Sequence, residues 1–298
     1  MPTASLVLDG PARLGLTLSP LQRGGSDPTF RNGDGVIWRT SLMRSGGVTA
    51  RLSSSALDTV DCEVWGDGAA EFLDRLPGFV GAEDDTTDFA PTEPTIAQAW
   101  RLVPYLRLGR TGRVLEALIP AILEQRVQGL DAWSAFRTLT TRYGAPAPGP
   151  APTGMRLPPT ADAWRRVPSW EFHRANVDPG RARTIVGCAQ RADALERVTA
   201  DTATTALMSL PGIGVWTAAE TVQRAFGDAD ALSVGDYHLA KMVGWTLVGR
   251  PIDDAEMVEL LEPLRPHRHR AVRLLEVSGL ARNPRFGARQ AIPNLKKI

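Results

Sequence analysis

The spacing of apolar residues changes once along the chain, near residue 92, and this change limits the folds available to it. Before it, the segments VIWRTSLM (36–43) and GVTARLSSSAL (47–57) are β-branched or alternating, and CEVWGDG (62–68) closes on a glycine turn. After it, apolar residues recur at three- and four-residue intervals. We therefore predict an α+β protein, with a small N-terminal antiparallel β domain at residues 1–92 and a helical domain at residues 93–298.

Two connections divide this pattern further. The segment EFLDRLPGFVGAEDDTTDFAPTEP (71–94) predicts a short helix followed by an acidic, proline-containing connection over residues 80–94. The proline-rich stretch APAPGPAPTGMRLPP cannot be helical. It predicts an exposed, semi-rigid loop over residues 145–160 between two groups of helices.

Composition excludes several classes of protein. With 43% hydrophobic and 22% charged residues among 298, the chain has an ordinary globular composition. It contains no run of roughly 20 apolar residues and does not begin with a secretory pattern, so we expect an intracellular protein without a membrane partner, cytoplasmic or, in a bacterium, close to the nucleoid. The cysteines, Cys62 and Cys188, are too few for a disulfide framework or an iron–sulfur site.

The net charge of +1 conceals a strong segregation of charge. Residues 56–94 carry eleven acidic residues against Arg75, whereas residues 265–298 carry nine basic residues against Glu276. A basic end of this kind is consistent with a nucleic-acid face or with a solvated tail.

The segment LPGIGVWTAA (210–219) predicts a helix, a tight turn and a second helix that restarts at once. Pro211 cannot continue the first helix, Gly212 and Gly214 permit a close turn, and Ile213 can point inward. Backbone amides of the second helix would then face outward and form a phosphate site without a basic side chain. Taken alone, the segment would be interpreted as an ordinary helix–helix turn.

Asp236 follows this turn at an informative distance. It lies in the segment Val234–Tyr237, before a new helix and 22 residues after Gly214. Alone, it would be an ordinary helix N-cap. Together, the two motifs resemble the helix-hairpin-helix DNA glycosylases, in which an aspartate at a helix N-terminus follows the hairpin by about 20 residues. The resemblance covers residues 100 to 280.

The resemblance implies a two-lobed all-α domain with the active-site cleft between its lobes, and DNA binding by the hairpin. The hairpin residues expected at DNA are Gly212, Ile213, Gly214, Val215 and Thr217. It also implies a structural Na⁺ or K⁺ at the hairpin, held by backbone carbonyls of Met208, Leu210 and Ile213. No cofactor is expected to be required.

Asp236 is implied to be the catalytic carboxylate. Cleavage of an N-glycosidic bond develops positive charge on the sugar, which a fixed negative charge stabilises. Members of the superfamily that also cut the backbone carry a lysine nucleophile where this chain has Trp216, so no Schiff base is expected there. The pattern is most similar to the 3-methyladenine DNA glycosylase II type, which excises alkylated bases.

Further residues follow from the resemblance. Gln125 and Arg126 match the helix end that fills the gap left by a flipped base, although family members of this type place an apolar wedge where this chain has Arg126. Arg268 is expected to pair with a carboxylate or to reach phosphate. Trp216 and Tyr237 would supply aromatic rings to the base pocket.

Glu220 and Glu276 stand where the alkyl-base enzymes carry aromatic rings. They are therefore predicted to line the base pocket.

We therefore predict a monofunctional DNA N-glycosylase of base excision repair that excises N3- or N7-alkylated purines from damaged double-stranded DNA by base flipping. We expect it to act as a monomer. Two alternatives remain open: a glycosylase for deaminated or oxidised bases, favoured by the glutamates, and a non-catalytic hairpin protein that binds DNA.

Overall fold

The computed structural model describes residues 2–282. Its N-terminal part is a five-stranded antiparallel sheet in the order β1-β5-β4-β3-β2. The strands are β1 (Thr3–Val7), β2 (Phe30–Gly33), β3 (Val36–Met43), β4 (Gly46–Ala56) and β5 (Thr59–Trp65). The three central strands lie where alternation predicts them. β1 was not predicted from the sequence. It is a short, half-exposed edge strand, and the residues on its two faces differ little in burial.

One face of the sheet forms the first apolar core. Along β5, Val60, Cys62 and Val64 are buried and alternate with half-buried residues, as a strand with one covered face requires. They pack with α1 (Leu14–Leu18) and α2 (Ala69–Phe79). Burial raises the pKa of the Cys62 thiol to about 12, so this cysteine is an inert part of the core.

Beyond the sheet the described chain is helical, which confirms the α+β class. The helices are α3 (Pro94–Leu102), α4 (Val114–Leu123), α5 (Gly129–Tyr143), α6 (Ala161–Arg166), α7 (Ser169–Arg174), α8 (Pro179–Ala189), α9 (Ala192–Leu195), α10 (Ala200–Met208), α11 (Val215–Phe226), α12 (Leu239–Leu247), α13 (Asp254–Leu261) and α14 (Arg268–Ser278). None of the described helices is long and apolar enough to cross a membrane.

These helices bury two separate apolar clusters. One is built from α4 through α11. The other joins α3 to α12, α13 and α14, so it combines residues 89–106 with residues 232–275. This packing of segments that are distant in sequence brings α14 alongside the segment that follows the predicted hairpin.

The proline-rich stretch departs from the predicted exposed loop. It is irregular as expected, but Met155 and residues 157–159 are buried against the sheet. The amide of Arg156 donates to the carbonyl of Pro28 at 2.8 Å, and Thr40 Oγ1 donates to the carbonyl of Arg156 at 2.5 Å. The segment therefore packs on the sheet, because its apolar residues cover a face that would otherwise be solvated.

Candidate active site

The predicted hairpin joins α10 to α11. Gly212 has a φ of +84°, and a Cβ at this position would lie 2.3 Å from Thr184 Oγ1, so only glycine fits the turn. Ile213 points into the apolar core, as predicted. Gly214 and Val215 are exposed, and no side chain caps the N-terminus of α11. Its first-turn amides are therefore open to an anion such as a phosphate.

The end of α4 is attached to this hairpin through Gln125. Its side-chain amide donates to the carbonyl of Gly212 at 2.9 Å and to Thr217 Oγ1 at 2.8 Å. Both partners belong to the protein, so the amide nitrogen is committed to joining α4 to the hairpin rather than to contacting DNA. Thr217 is buried. Its side chain is therefore not at the surface, contrary to the prediction that it contacts DNA. Arg126, by contrast, is exposed and has a φ of +52°.

Asp236 lies on the turn before α12 with both carboxylate oxygens engaged. Oδ1 accepts the backbone amides of His238 at 2.8 Å and Leu239 at 3.0 Å, and Oδ2 accepts Trp216 Nε1 at 3.1 Å. The amides place the carboxylate at the beginning of α12, as a helix-capping aspartate would be. The indole fixes its second oxygen relative to the hairpin helix. Trp216 therefore orients the carboxylate.

A second contact holds the turn from the other side. Gly235 has a φ of +90°, and its amide donates to Asp254 Oδ2 at 3.0 Å. Asp254 is the first residue of α13. The position of Asp236 is thus determined by both the hairpin and α13.

Asp236 lines a cavity of about 360 Å³. The cavity lies where α11 meets α12 and α14, with α1 and residues 107–109 closing another side. Glu220 of α11 and Glu276 of α14 line it too, so the structure brings the three predicted carboxylates together. Glu276 is paired with Arg273.

Sequence reasoning missed His269, which also lines the cavity. Burial lowers the pKa of its imidazole well below the usual range, and the neighbouring Arg273, Arg224 and Arg270 lower it further, so the ring is neutral at pH 7. A signal was present in the sequence: His269, Arg273 and Glu276 are spaced i, i+4 and i+7, which puts them on one face of α14.

The predicted aromatic rings are not in this cavity. Trp216 and Tyr237 are absent from its walls, and Tyr237 is 68% exposed. The Tyr237 ring lies edge-on to His238, with the Lys241 ammonium 4.1 Å from its centre. Trp216 bonds the carboxylate of Asp236 from outside the wall, and Tyr237 is directed to solvent on the turn before α12. Within the described chain, the cavity wall combines polar and aliphatic side chains and contains no Phe, Tyr or Trp.

Four basic residues of the C-terminal segment within the described part of the chain are paired with carboxylates of the protein. Arg268 is 8% exposed and bonds Asp230 through Nε and NH2, at 2.8 and 2.6 Å, so it pairs with a carboxylate and does not reach phosphate. Arg265 pairs with Asp230, Arg270 with Asp84, and Arg273 with Glu276. The four basic residues at positions 285, 289, 296 and 297 lie outside the described residues.

The carbonyls predicted to hold a monovalent cation belong to the hairpin. That of Leu210 accepts the amide of Ile213 at 3.1 Å. Among the backbone hydrogen bonds of turns and loops within residues 2–282, none ends on the carbonyls of Met208 or Ile213. Carbonyl oxygens suit a hard cation, so the donor chemistry fits. No cluster of His, Cys, Asp and Glu that could hold a metal is found in the described part of the chain.

Comparison with known proteins finds the same architecture. No protein-family model and no curated protein matches the sequence. A 3-methyladenine DNA glycosylase from Archaeoglobus fulgidus is similar in structure, with a TM-score of 0.75 at 17% identity over 93% of this chain and 98% of that one. An 8-oxoguanine glycosylase/lyase from Clostridium acetobutylicum has a TM-score of 0.70 at 12% identity over 93% and 96%.

A third similar structure is shorter. The 3-methyladenine DNA glycosylase of Schizosaccharomyces pombe, bound to abasic DNA, has a TM-score of 0.51 at 16% identity, over 64% of this chain and 94% of that one. The chain therefore shares its fold with these DNA glycosylases.

Proposed function

We propose that this chain is a monofunctional DNA N-glycosylase, and that its substrates are purines alkylated at N3 or N7. The main support for this proposal is the carboxylate of Asp236 on the wall of a cavity of about 360 Å³. Trp216 and two backbone amides hold this carboxylate in place. The cavity can accommodate one base, and it lies beside a hairpin whose free amides suit a DNA phosphate. The likeness to solved glycosylases supports the proposal.

In the proposed reaction the hairpin grips one strand while a damaged nucleotide rotates into the cavity. As the bond between base and sugar breaks, positive charge develops on the sugar, and the carboxylate of Asp236 stabilises it and orients the attacking water. An alkylated purine is already cationic and leaves without a strong general acid. Because Trp216 occupies the position of the lyase lysine, we expect free base and an intact abasic strand as products.

The test is release of base from methylated double-stranded DNA, assayed with and without alkaline cleavage of the strand. Wild-type protein should release base and leave a strand that breaks only in alkali. Asp236→Asn should lower the rate by at least about 100-fold, since a fixed charge at the reacting centre is removed. If the protein releases no base and Asp236→Asn retains DNA binding unchanged, the chain is a non-catalytic DNA-binding protein.

A second candidate is a glycosylase for oxidised or deaminated bases. It is favoured by the polar side chains of Glu220, Glu276 and neutral His269 in a cavity wall that contains no Phe, Tyr or Trp among the described residues. Neutral lesions are poor leaving groups and are recognised by hydrogen bonds more than by stacking on rings. Single-lesion duplexes separate this candidate from the first. We further propose that the protein is monomeric on DNA and that Na⁺ or K⁺ binds at the hairpin carbonyls.

A further inference from the structure

The carboxylate of Glu220 is held in its orientation by hydrogen-bond donors of neighbouring side chains. The side-chain amide of Gln223 donates to the carbonyl of Ala231 at 2.8 Å and to Ser233 Oγ at 3.1 Å. Since Ser233 Oγ accepts there, its hydroxyl hydrogen is directed to Glu220 Oε1, at 2.5 Å. The other oxygen, Oε2, is 2.8 Å from Arg224 NH1.

This arrangement leaves Glu220 as an acceptor of hydrogen bonds. An ionised carboxylate has about four acceptor positions and no donor. Arg224 and Ser233 use one on each oxygen, and the residue lines the cavity that contains Asp236. The side chain is 15% exposed and lines the cavity, so a ligand in the cavity can reach its free acceptor positions. A ligand placed there is favoured if it presents donors and disfavoured if it presents a lone pair.

Purine edges differ in this respect. Guanine carries an N1–H and an N2–H₂ side by side, which together match the two oxygens of a carboxylate. Adenine presents its amino group beside the lone pair of N1, which a carboxylate repels, and hypoxanthine has the N1–H without the amino group. A site built to bind such a donor discriminates strongly, because a mismatched ligand leaves its polar groups unpaired.

Resting on the glycosylase function proposed above, we propose that Glu220 is a specificity-determining residue that selects lesions retaining the guanine N1–H and N2–H₂ edge. The substrate class is therefore a guanine alkylated or oxidised away from that edge, at N7 or C8.

The rest of the wall is consistent with this class. Arg273 lines the same cavity and can donate to the O6 oxygen of guanine. The neutral imidazole of His269 can donate or accept. Within the described chain the cavity has no Phe, Tyr or Trp in its wall, so hydrogen bonds and not stacking must distinguish one base from another.

The experiment measures base release in single turnover from two kinds of DNA. Randomly methylated DNA reports 7-methylguanine and 3-methyladenine in one reaction, and single-lesion duplexes report 8-oxoguanine and hypoxanthine. Because the adenine lesion is intrinsically more labile, the ratio of guanine to adenine products in each variant is compared with that of the wild type. Glu220→Gln should lower this ratio by roughly 10- to 100-fold, the range expected for hydrogen bonds to a charged group.

Glu63→Gln is the matched control. Glu63 pairs with Arg51 across two strands of the sheet, far from the cavity, and its substitution should leave the ratio unchanged. Ser233→Ala is the second variant, because it releases one Glu220 oxygen without altering charge. It should lower the same ratio by a smaller factor, and it keeps the proposal testable if Glu220→Gln does not fold.

The outcomes separate the two proposals. Release that depends on Asp236, with a ratio that neither Glu220→Gln nor Ser233→Ala changes, overturns the selection by Glu220 and leaves the glycosylase function standing. Absence of release from every substrate overturns both. Preference for 7-methylguanine assigns the site to alkylated guanine, and preference for 8-oxoguanine to oxidised guanine; in both cases hypoxanthine should be the poorer substrate because it lacks N2.

Discussion

Replacement of Trp216 by phenylalanine removes one hydrogen bond to the carboxylate of Asp236, proposed above as catalytic, and keeps most of the apolar side chain. That hydrogen bond joins Trp216 Nε1 to Asp236 Oδ2, at 3.1 Å. The opposite oxygen keeps its two backbone amides, at 2.8 and 3.0 Å, because no side chain is involved. The carboxylate therefore stays on its turn but becomes free to rotate.

The expected magnitude follows from the charge of the acceptor. A hydrogen bond to a charged group contributes about 1.5–3 kcal/mol, which corresponds to roughly 10- to 100-fold in rate if the orientation it enforces is needed in the transition state. One effect opposes this decrease: without the indole, the carboxylate interacts more strongly with a cationic sugar. We expect the weaker orientation to dominate, because displacement of a reacting group by a fraction of an ångström is costly.

The assay is single-turnover release of base, with DNA affinity measured separately by fluorescence anisotropy. Trp216→Phe should slow release by the stated factor and change affinity by less than about twofold, since the hydrogen bond it removes is at the reacting group. Trp38→Phe is the control: Trp38 stacks on Trp65 in the sheet, with ring centres 5.6 Å apart, and its substitution should not slow release. An unchanged or faster rate in Trp216→Phe would refute the proposed orienting role.

Gln125→Ala removes both hydrogen bonds from α4 to the hairpin, and should lower the free energy of unfolding by about 1–3 kcal/mol in urea and weaken DNA binding. Burial disfavours ionisation of Asp230, but hydrogen bonds and charge from Arg268 outweigh it and lower its pKa. The ionised Asp230 should stabilise the fold fully above about pH 4, and this stability should be lost as the pH falls through the lowered pKa. Urea titrations at different pH values should find this loss in the wild type and not in Asp230→Asn. Arg126→Ala should reduce the slope of log affinity against log salt by about 1 if the exposed Arg126 contacts phosphate, and an unchanged slope would exclude that contact.

Local motifs were predictable, whereas the composition of the cavity was not. The turn at Gly212 and the position of Asp236 before α12 depend on neighbours a few residues away, so spacing alone indicates them. The cavity depends on the packing of α14 against α11 and α12, which no local pattern encodes. Tyr237 was predicted to be inside the pocket because rings are expected around a base, but the backbone after Asp236 directs it to solvent.

The pairing of the charged residues was not predictable either, for the same reason. The basic segment beginning at residue 265 looks like a surface for a polyanion, yet its partners lie far away in sequence. Arg270 is fully buried and bonds Asp84, which belongs to the acidic connection. This ion pair thus joins the two segregated charge blocks inside the fold. Only tertiary contacts between residues 186 positions apart could reveal this.

The hydrogen bond from Gly235 to Asp254 has a consequence for how the chain tolerates change in length. It closes a loop of 19 positions between the turn that carries Asp236 and the first residue of α13. Residues 248–253, which are mostly exposed, connect α12 to α13 within that loop. By exposure alone, this connection would be expected to tolerate changes in its length. An insertion or deletion there would move α13 and draw the turn with it, away from Trp216. The length of a surface connection thus helps to fix the position of the Asp236 carboxylate, and we expect a single residue added or removed there to displace that carboxylate.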